Sequence, residues 1–490
     1  MSDCCATSPK TVIENGDACC SHGNNKHLLI IGGGGAAFAA ALKASSLGAR
    51  ATIINDGLPM GGTCVNVGCV PSKTLIRAAE VLHRAQHPAP FAGLSTSGRL
   101  HDFAALMHQK RELVEELRQA KYADVIGDDP NIVFRRGRGK PIDGHTVEVN
   151  GEPLEGDAVL IATGARPAVP PIPGLDKVHF LTNESAFELK ALPGSLLVLG
   201  GRYIALEIAQ LFARLGTRVT ILQRSDRILL DQPAELTAEL TSYLTAEGIR
   251  VVTGVKALRA AEEGNEAVLE ATVAGQRQIF RAQRLLLGTG RTPNTAGLGL
   301  DKAGVILTEK EFVRVDATLA TSAQGVFAAG DVIGEPMFVY TAAYEGALAA
   351  ENALTGAART RDYTALPWVI FTDPQVAGVG LDLAQAQARG VDAEAVTLPL
   401  SQVPRAIAAR DTCGFIQLVR NRATDQLIGA RVLAPEGSEL LMEVALAIRY
   451  RIPVRELAAV FHPYLTLSEG IKLAALSFGK DVRKLSCCAA

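Results

Sequence analysis

One local pattern occurs twice in this chain: an apolar strand, a glycine-containing loop, a helix and a second strand. The first copy consists of the strand 28–31, the loop 32–35, a helix to about Leu47 and the strand 51–54. The second copy consists of the strand 196–199, the loop 200–205, a helix to about Leu215 and the strand 218–222. A strand that turns through glycines into a helix is the core of a nucleotide-binding β-α-β unit. We therefore predict an α/β fold with two Rossmann-like dinucleotide-binding domains.

Bulk composition excludes several classes of protein. The chain of 490 residues is long for one hydrophobic core, and its 49 basic residues nearly balance its 51 acidic ones, so it has no general attraction to nucleic acid or anionic lipid. No apolar run reaches membrane-spanning length, and residues 1–26 lack the apolar stretch of a secretory signal. Nine cysteines, an odd number, rule out a fully paired secreted framework. We expect a cytoplasmic protein without nucleic-acid or membrane partners.

The first glycine loop has the spacing of a phosphate-binding turn. Gly32, Gly34 and Ala37 stand where small residues allow a tight turn, let backbone amides approach a pyrophosphate and let the helix pack on the strand. Asn55 or Asp56, just after the second strand, is placed to accept a ribose hydrogen bond, and Asn55 departs from the usual carboxylate. A glycine-rich turn without a ligand is the alternative.

The second loop is less regular and favours a phosphorylated nucleotide. Gly200 opens it, but Arg202 replaces the middle glycine and puts a large side chain beside the expected pyrophosphate path. Arg224 and Arg227 follow the second strand, where a carboxylate would bind a free ribose 2′-hydroxyl. Because arginines instead suit a 2′-phosphate, the sequence favours NADPH over NADH. A solvated surface pair is the alternative for these two arginines.

A pair of cysteines lies between the two loops. Cys64 and Cys69 are separated by four residues, and a helical pattern starts just after Pro71. A helix N-terminus stabilises a thiolate, and such a pair can cycle between dithiol and disulfide with Lys73 supplying positive charge nearby. A structural pair or two zinc ligands are the alternatives, but no second Cys or His pair has suitable spacing nearby. We predict a redox-active pair.

The cysteine segment 61–73 closely resembles the redox-active signature of the pyridine nucleotide-disulfide oxidoreductases. The similarity extends over about residues 27–490. It implies that hydride passes from NADPH to FAD and then to the cysteine pair. In that scheme Cys64 is the outer exchange thiol and Cys69 is the thiolate that touches the flavin.

The same resemblance implies further site residues and a domain plan. Segment 328–331 is similar to the family's second flavin motif, and Tyr203 and Glu207 match positions that flank the nicotinamide. The implied flavin-site residues outside the first loop are Gly62, Thr63, Lys73, Gly164 and Asp331. The implied domains are a flexible Cys-containing tail 1–26, a discontinuous FAD-binding domain 27–176 and 291–360, an NADPH-binding domain 177–290, and a C-terminal α+β dimerisation domain 361–490.

The C-terminal region helps to distinguish a disulfide from another electron acceptor. Disulfide reductases of this family need a His–Glu pair from the partner subunit to move a proton. Aligned on Thr466 and Glu469, this chain has Tyr464 at the histidine position, and His462 falls two residues upstream. A phenol is a poor base near neutral pH. The sequence therefore favours an acceptor other than a disulfide.

Near the chain end, Cys487 and Cys488 are adjacent soft ligands, which select soft metal ions. Together these features resemble the mercuric reductases within the family. The resemblance implies a homodimer in which the terminal cysteines of one subunit collect Hg(II) and pass it to Cys64 and Cys69 of the other. The implied pocket tyrosines are Tyr203 and Tyr464.

Several alternatives stay open at this point. A thioredoxin-reductase-like or dihydrolipoamide-dehydrogenase-like disulfide reductase is the nearest one, and a non-enzymatic thiol-rich metal sink is more distant. The terminal cysteine pair is alternatively part of a frayed tail. The pairs in the N-terminal tail, Cys4 with Cys5 and Cys19 with Cys20, either collect metal or belong to an inert leader. We assign the lone Cys413 to packing as a small hydrophobe.

Overall fold

The computed structural model describes residues 25–87 and 91–484. The predictions that fall outside these ranges concern Cys4, Cys5, Cys19, Cys20, Cys487 and Cys488. Within them, the predicted α/β fold with two nucleotide-type sheets and a C-terminal α+β region is confirmed. No helix in these two ranges has the length and apolar content that crossing a bilayer requires.

The helices and strands follow one another in three stretches. The first contains β1 (His27–Ile31), α1 (Gly35–Ser46), β2 (Arg50–Asn55), α2 (Gly62–Val67), α3 (Cys69–Gln86), α4 (Phe103–Arg118), α5 (Asp124–Gly127), β3 (Ile132–Arg136), β4 (Gly139–Pro141), β5 (Thr146–Val149), β6 (Glu152–Glu155), β7 (Ala158–Ile161) and β8 (Ala165–Pro167). The second contains α6 (Asn183–Ala186), β9 (Ser195–Leu199), α7 (Tyr203–Arg214), β10 (Arg218–Leu222), α8 (Ala234–Ala246), β11 (Arg250–Val252), β12 (Lys256–Glu263), β13 (Glu266–Val273), β14 (Gln276–Ala282), β15 (Arg284–Leu287) and β16 (Arg291–Pro293). The third contains β17 (Val326–Ala328), α9 (Val339–Thr355), β18 (Pro367–Ile370), β19 (Gln375–Gly380), α10 (Leu383–Ala388), β20 (Ala393–Pro399), α11 (Pro404–Ala409), β21 (Phe415–Asn421), β22 (Leu427–Ala434), α12 (Leu441–Arg449), α13 (Val454–Ala459) and α14 (Glu469–Leu476).

The first glycine loop leaves the centre of a five-stranded parallel sheet. The strand order is β17-β7-β1-β2-β3, and both faces of β1 are covered. Leu28 and Ile30 join one hydrophobic cluster, whereas Leu29 and Ile31 join another on the opposite face. This double burial explains why β1 reads as an uninterrupted apolar run.

The second glycine loop leaves a comparable sheet. Its four parallel strands are in the order β11-β10-β9-β15, and an antiparallel sheet β12-β13-β14 packs nearby. Alternate residues of β9 again face two clusters, with Leu196 on one side and Leu197 on the other. The predicted repeat of the β-α-β unit is therefore present in the fold.

Two further Gly-containing turns, at 161–167 and 287–294, meet in space. Their strands β8 and β16 form a two-stranded antiparallel sheet in which Ala165 pairs with Pro293. This contact joins the segments that lead into and out of the β9 sheet. The exact limits of the predicted domains remain a prediction.

The C-terminal region folds around one antiparallel sheet. Its five strands are in the order β18-β19-β22-β21-β20. The inward-facing residues of these strands share a hydrophobic cluster with α12, α13 and α14. An antiparallel sheet with the helices α12, α13 and α14 packed together against one face is the α+β architecture predicted for this region.

Candidate active site

The two central cysteines lie on consecutive short helices beside the first glycine loop. Cys64 is within α2, and Cys69 is the first residue of α3. The prediction that a helix starts just after Pro71 is wrong, because Pro71 lies in the first turn of α3, where a missing N–H breaks no intrahelical bond. A Cβ at Gly62 would lie 2.7 Å from the Cα of Gly34, so the cysteine segment packs directly on the dinucleotide loop.

The two thiols differ in their affinity for a proton. A hydrogen bond from the Cys64 thiol, together with the positive charge of Lys73, lowers the pKa of Cys69 to about 7 despite burial. The same hydrogen bond and burial raise the pKa of Cys64. Near neutral pH the pair therefore shares one proton, held on Cys64, and Cys69 carries the thiolate character.

An ion pair links the cysteine helix to the second nucleotide unit. Lys73 Nζ lies 2.6 Å from Glu207 Oε2, and Glu207 Oε1 accepts a hydrogen bond from the backbone N–H of Phe371 at 2.9 Å. The ammonium of Lys73 also lies 4.6 Å from the centroid of the Phe371 ring. Lys73 thus contacts α7 and the C-terminal region as well as supplying charge to Cys69.

Among the described residues, buried polar atoms without a hydrogen-bond partner line the space along the first loop. Gly32 has a φ of +122°, and a Cβ there would lie 2.1 Å from the carbonyl oxygen of Ala162. Thr163 Oγ1 and Arg291 Nε are buried side-chain atoms that lack a hydrogen-bond partner in the described chain, although Asp331 Oδ2 lies 3.5 Å from Arg291 Nε. Buried polar atoms are normally satisfied, so these mark where a bound polar group belongs.

Other predicted flavin residues lie around the same space. Arg291 Nη2 lies 3.5 Å from Thr63 Oγ1, and a Cβ at Gly164 would face open space. Asn55 packs under the loop, where its amide donates to the Leu58 carbonyl at 2.9 Å. Burial raises the pKa of Asp331. The residues present fit a dinucleotide with polar groups at both the loop and the Asp331 end.

The second loop makes the same turn with different side chains. Gly200 has a φ of +126°, and a Cβ there would lie 2.3 Å from the carbonyl oxygen of Gly288. The guanidinium of Arg202 pairs with Asp231 at 3.1 Å. Arg224 is exposed, whereas Arg227 is half-buried and its Nε lacks a hydrogen-bond partner among the described residues. Arg227 is therefore the better placed of the two for a phosphate.

Tyr203 begins α7 directly after this loop. Its ring is parallel to the indole of Trp368, with 6.2 Å between centroids and 2° between planes, and its hydroxyl donates to Asp231 at 3.4 Å. Burial raises the pKa of Tyr203 to about 12, so its hydroxyl stays protonated near neutral pH.

The predicted loop residue Tyr464 lies between α13 and α14, and 52% of it is exposed. Upstream in the same loop, His462 Nε2 lies 2.6 Å from Glu443 Oε1 on α12, and His462 Nδ1 lies 3.1 Å from the Val460 carbonyl oxygen. Both ring nitrogens of His462 therefore already face acceptors. Glu469, at the start of α14, accepts from the backbone N–H of Leu465 at 3.2 Å.

Family comparison resolves what kind of enzyme this geometry belongs to. Residues 26–346 match the family described as pyridine nucleotide-disulphide oxidoreductase, and residues 366–475 match its dimerisation domain. The chain belongs to the pyridine nucleotide-disulphide oxidoreductases. It is accordingly a flavoprotein oxidoreductase whose cofactors are FAD and NADPH.

Individual relatives place the chain within this family. It is 45% identical over 451 residues to a mercuric reductase of Staphylococcus aureus, covering 92% of this chain and 82% of that one. It is also 45% identical over 458 residues to a mercuric reductase of Streptomyces lividans, covering 92% and 96%. Among solved structures, LpdA of Mycobacterium tuberculosis superposes with a TM-score of 0.83 at 29% identity, covering 93% of this chain and 100% of that one.

Several residues of this oxidoreductase site escaped the sequence analysis. Arg291 directly follows a Gly-Thr-Gly turn at 288–290, to which the sequence analysis assigns no cofactor contact. Glu345, buried on α9, accepts from the backbone N–H of Gly330 at 2.7 Å and from the Tyr363 hydroxyl, and so holds the Asp331 turn. A glutamate inside an apolar, alanine-rich helix is a visible signal for such a buried role.

The assignment of Cys413 to packing is wrong. Cys413 is exposed in the loop between α11 and β21. Partial burial and the neighbouring Asp411 raise the pKa of Cys413 to about 11, so the thiol stays protonated near neutral pH. This cysteine lacks the electrostatic features of the Cys64–Cys69 pair.

Proposed function

We propose that this flavoprotein reduces thiol-bound Hg(II) to elemental mercury with NADPH, and thereby serves mercury detoxification and resistance. The observation that carries the proposal is the Cys64–Cys69 pair, which shares one proton beside Lys73 in a chain that has no histidine at position 464. The overall reaction turns NADPH, one proton and an Hg(II) dithiolate into NADP⁺, elemental mercury and two thiols. Similarity to the mercuric reductases supports this acceptor.

The cysteine pair has the chemistry of a soft-metal site. Thiolates select soft ions, and Cys69, with its pKa near 7, is ready to bind one at neutral pH. Cys64 must lose its proton to become the second ligand, so metal capture releases that proton. Bound FAD supplies the two electrons that NADPH delivers as hydride.

The tyrosine at position 464 supports a metal over a disulfide as acceptor. Splitting a disulfide requires protonation of the leaving thiolate. Tyr464 occupies the family's histidine position, and His462 is engaged with Glu443 and the Val460 carbonyl. Reduction of a bound ion places electrons on the metal and needs no such acid.

Cysteine replacement tests the proposal directly. Cys64→Ala or Cys69→Ala should abolish mercury vapour release during NADPH oxidation in excess small thiol, while flavin content and NADP⁺ binding stay unchanged. Cys413→Ala, which removes an exposed thiol away from the helix pair, is the matched control and should retain turnover. Full turnover by Cys64→Ala would overturn the mechanism. NADPH oxidation only with oxidised thioredoxin or lipoamide would make the chain a disulfide reductase.

A homodimer with shared active sites is part of the proposal. The dimerisation-domain match supports it, as does an exposed apolar stripe on α12 and its C-cap, where Met442, Leu446 and Tyr450 are 57%, 51% and 72% exposed. Cys487 and Cys488 of one subunit would deliver Hg(II) to the other subunit, where Tyr203 and the incoming Tyr464 line the pocket. A cytoplasmic location, which keeps these thiols reduced, belongs to the same proposal.

Subunit mixing tests the shared site. Neither Cys64→Ala nor the double variant Cys487→Ala/Cys488→Ala should clear mercury efficiently from competing thiols. Co-expressed hybrids of the two should recover activity, because one site then combines an intact pair with an intact terminus. No recovery in purified hybrids would place the terminal cysteines at their own subunit's site.

A further inference from the structure

Trp368, the only tryptophan of the chain, joins the C-terminal sheet to the second nucleotide loop. It lies on β18, and its indole is parallel to the ring of Tyr203, the first residue of α7. Tyr203 therefore receives an aromatic contact from a part of the chain that contains no glycine-rich phosphate loop.

Residues on two neighbouring strands support the Trp368 indole. Trp368 pairs with Gly378 on β19, and Gly378 pairs with Arg431 on β22, so the three residues form one row across the sheet. A Cβ at Gly378 would lie 2.5 Å from Trp368 Cζ2 and 3.1 Å from Arg431 Cδ. The glycine thus leaves the space in which the indole and the arginine meet, with the guanidinium carbon 5.5 Å from the ring centroid.

Arg431 is itself fixed in place. It is 2% exposed, and its guanidinium donates to Gln232 Oε1 and Gln385 Oε1, both at 3.1 Å. Asp382 Oδ2 lies 3.4 Å away and offsets its charge. Burial strengthens the attraction of a guanidinium to an aromatic face, because water does not compete for it.

The contacts close into a ring around Tyr203. Gln232 bonds Arg431 and also donates to its neighbour Asp231 at 3.5 Å, and Asp231 accepts from the Tyr203 hydroxyl. The aromatic face of Tyr203 is therefore held by Trp368, and its hydroxyl is held through Asp231. Both supports converge on Arg431.

We propose that Trp368, backed by Arg431, is a positioning residue for Tyr203 and makes the C-terminal sheet a determinant of NADPH binding. The inference rests on the proposed placement of Tyr203 at the nicotinamide. It explains how the second site can bind NADPH although Arg202 stands at the middle position of its loop. A residue of the C-terminal sheet holds Tyr203, so part of the contact with the nucleotide does not depend on the loop.

Fluorescence of the single tryptophan tests the proposal in the FAD-loaded enzyme. Titration with NADP⁺ should change the Trp368 emission of the wild type and of Tyr203→Phe, which keeps the stacked ring. The change should disappear in Tyr203→Leu. An unaltered emission change in Tyr203→Leu would overturn the proposal, because the signal would then not pass through Tyr203.

The kinetics of Trp368 variants provide a second test, because a general folding defect would not raise the KM for NADPH selectively. We expect Trp368→Leu to raise the KM for NADPH about fivefold with kcat changed less than about twofold, and Trp368→Phe to restore most of the loss. Flavin content verifies folding. An unchanged KM in a flavin-replete Trp368→Leu would also overturn the proposal. NADP⁺ titration requires no mercury, so failure here is distinct from failure of the proposed acceptor.

Discussion

The two glycine loops adopt nearly the same backbone but tolerate different side chains. Gly32 and Gly200 have φ angles of +122° and +126°, and a Cβ at either would collide with a carbonyl oxygen at 2.1 Å or 2.3 Å. At the middle position, Gly34 and Arg202 have φ angles of −94° and −109°, a conformation open to any residue. The first glycine is therefore required by the turn, whereas the middle one is not.

The two loops also differ in what packs against their middle positions. The cysteine segment crosses the first loop so closely that a Cβ at Gly62 would lie 2.7 Å from the Cα of Gly34. In the second loop the side chain of Arg202 instead extends to Asp231. A Cβ at Gly34 itself would lie 3.9 Å from the Cα of Gly62, an ordinary contact, so the close approach of the two segments requires glycine at position 62 and not at position 34.

Alanine at the first glycine of each loop should give the largest effect. Gly32→Ala and Gly200→Ala combine a positive φ with a backbone collision, and each of these costs on the order of 1–3 kcal/mol. We expect Gly32→Ala to lose bound flavin. Gly200→Ala should keep the flavin and lose at least about tenfold in NADP⁺ affinity. Flavin absorbance and equilibrium titration measure the two outcomes.

A third alanine variant separates dihedral strain from collision. Gly216 has a φ of +111°, but no atom lies within 4 Å of a Cβ built there. Gly216→Ala should therefore lower thermal stability slightly and leave both cofactors bound. Release of flavin by Gly200→Ala would show that the two loops do not serve separate cofactors.

The ion pair between Lys73 and Glu207 should affect the pKa of Cys69. Lys73 lowers and Glu207 raises the pKa of Cys69, which is about 7. Lys73→Met should move this pKa upward and Glu207→Gln downward, each by about one unit, which is a tenfold change in thiolate at pH below the pKa. A pH titration of the ultraviolet thiolate absorbance that Cys69→Ser removes measures both. Shifts in the same direction for both variants would contradict the electrostatic account.

The sequence predicted those features that depend on neighbouring residues. The two loops, their strands and the Cys64–Cys69 spacing are local, and the fold bears out both β-α-β units. The start of α3 was predicted too late, because proline marks a helix start but is also tolerated within the first turn. Cys413 was misplaced because a lone cysteine is commonly buried, although it lies next to a glycine at a turn.

Contacts between distant segments could not be predicted in this way. The Lys73–Glu207 pair, the β8–β16 pairing and the Tyr203–Trp368 stack each join residues that only the three-dimensional arrangement of sheets brings together. Periodicity and spacing report on one element at a time. Of these contacts, the Lys73–Glu207 pair joins the cysteine helix α3 directly to α7, the helix that follows the second loop.

Replacing the arginines that follow the second loop should reduce the preference for NADPH over NADH. Arg227→Ala removes a half-buried guanidinium with a buried, unpartnered Nε, and we expect the KM for NADPH to rise about tenfold while that for NADH changes less than about twofold. The exposed Arg224→Ala should act in the same direction but more weakly. Steady-state kinetics with both nucleotides measure this. Equal losses for NADPH and NADH would argue against a 2′-phosphate contact.

The smallest effect should come from making the second loop resemble the first. Arg202→Gly restores the middle glycine, yet the backbone there is already relaxed, and glycine is a favourable helix N-cap, so the turn itself should not be disrupted. The substitution removes the ion pair with Asp231, whose partners are 57% and 40% exposed, and the contact of the guanidinium with the Tyr203 ring at 5.7 Å; exposed contacts of these two kinds contribute about 0–1 kcal/mol each. We therefore expect NADP⁺ affinity to change by less than about threefold, measured by the same titration. A tenfold increase in NADP⁺ affinity would show instead that the Arg202 side chain obstructs the pyrophosphate. The number of glycines alone would then predict how well each loop binds a dinucleotide.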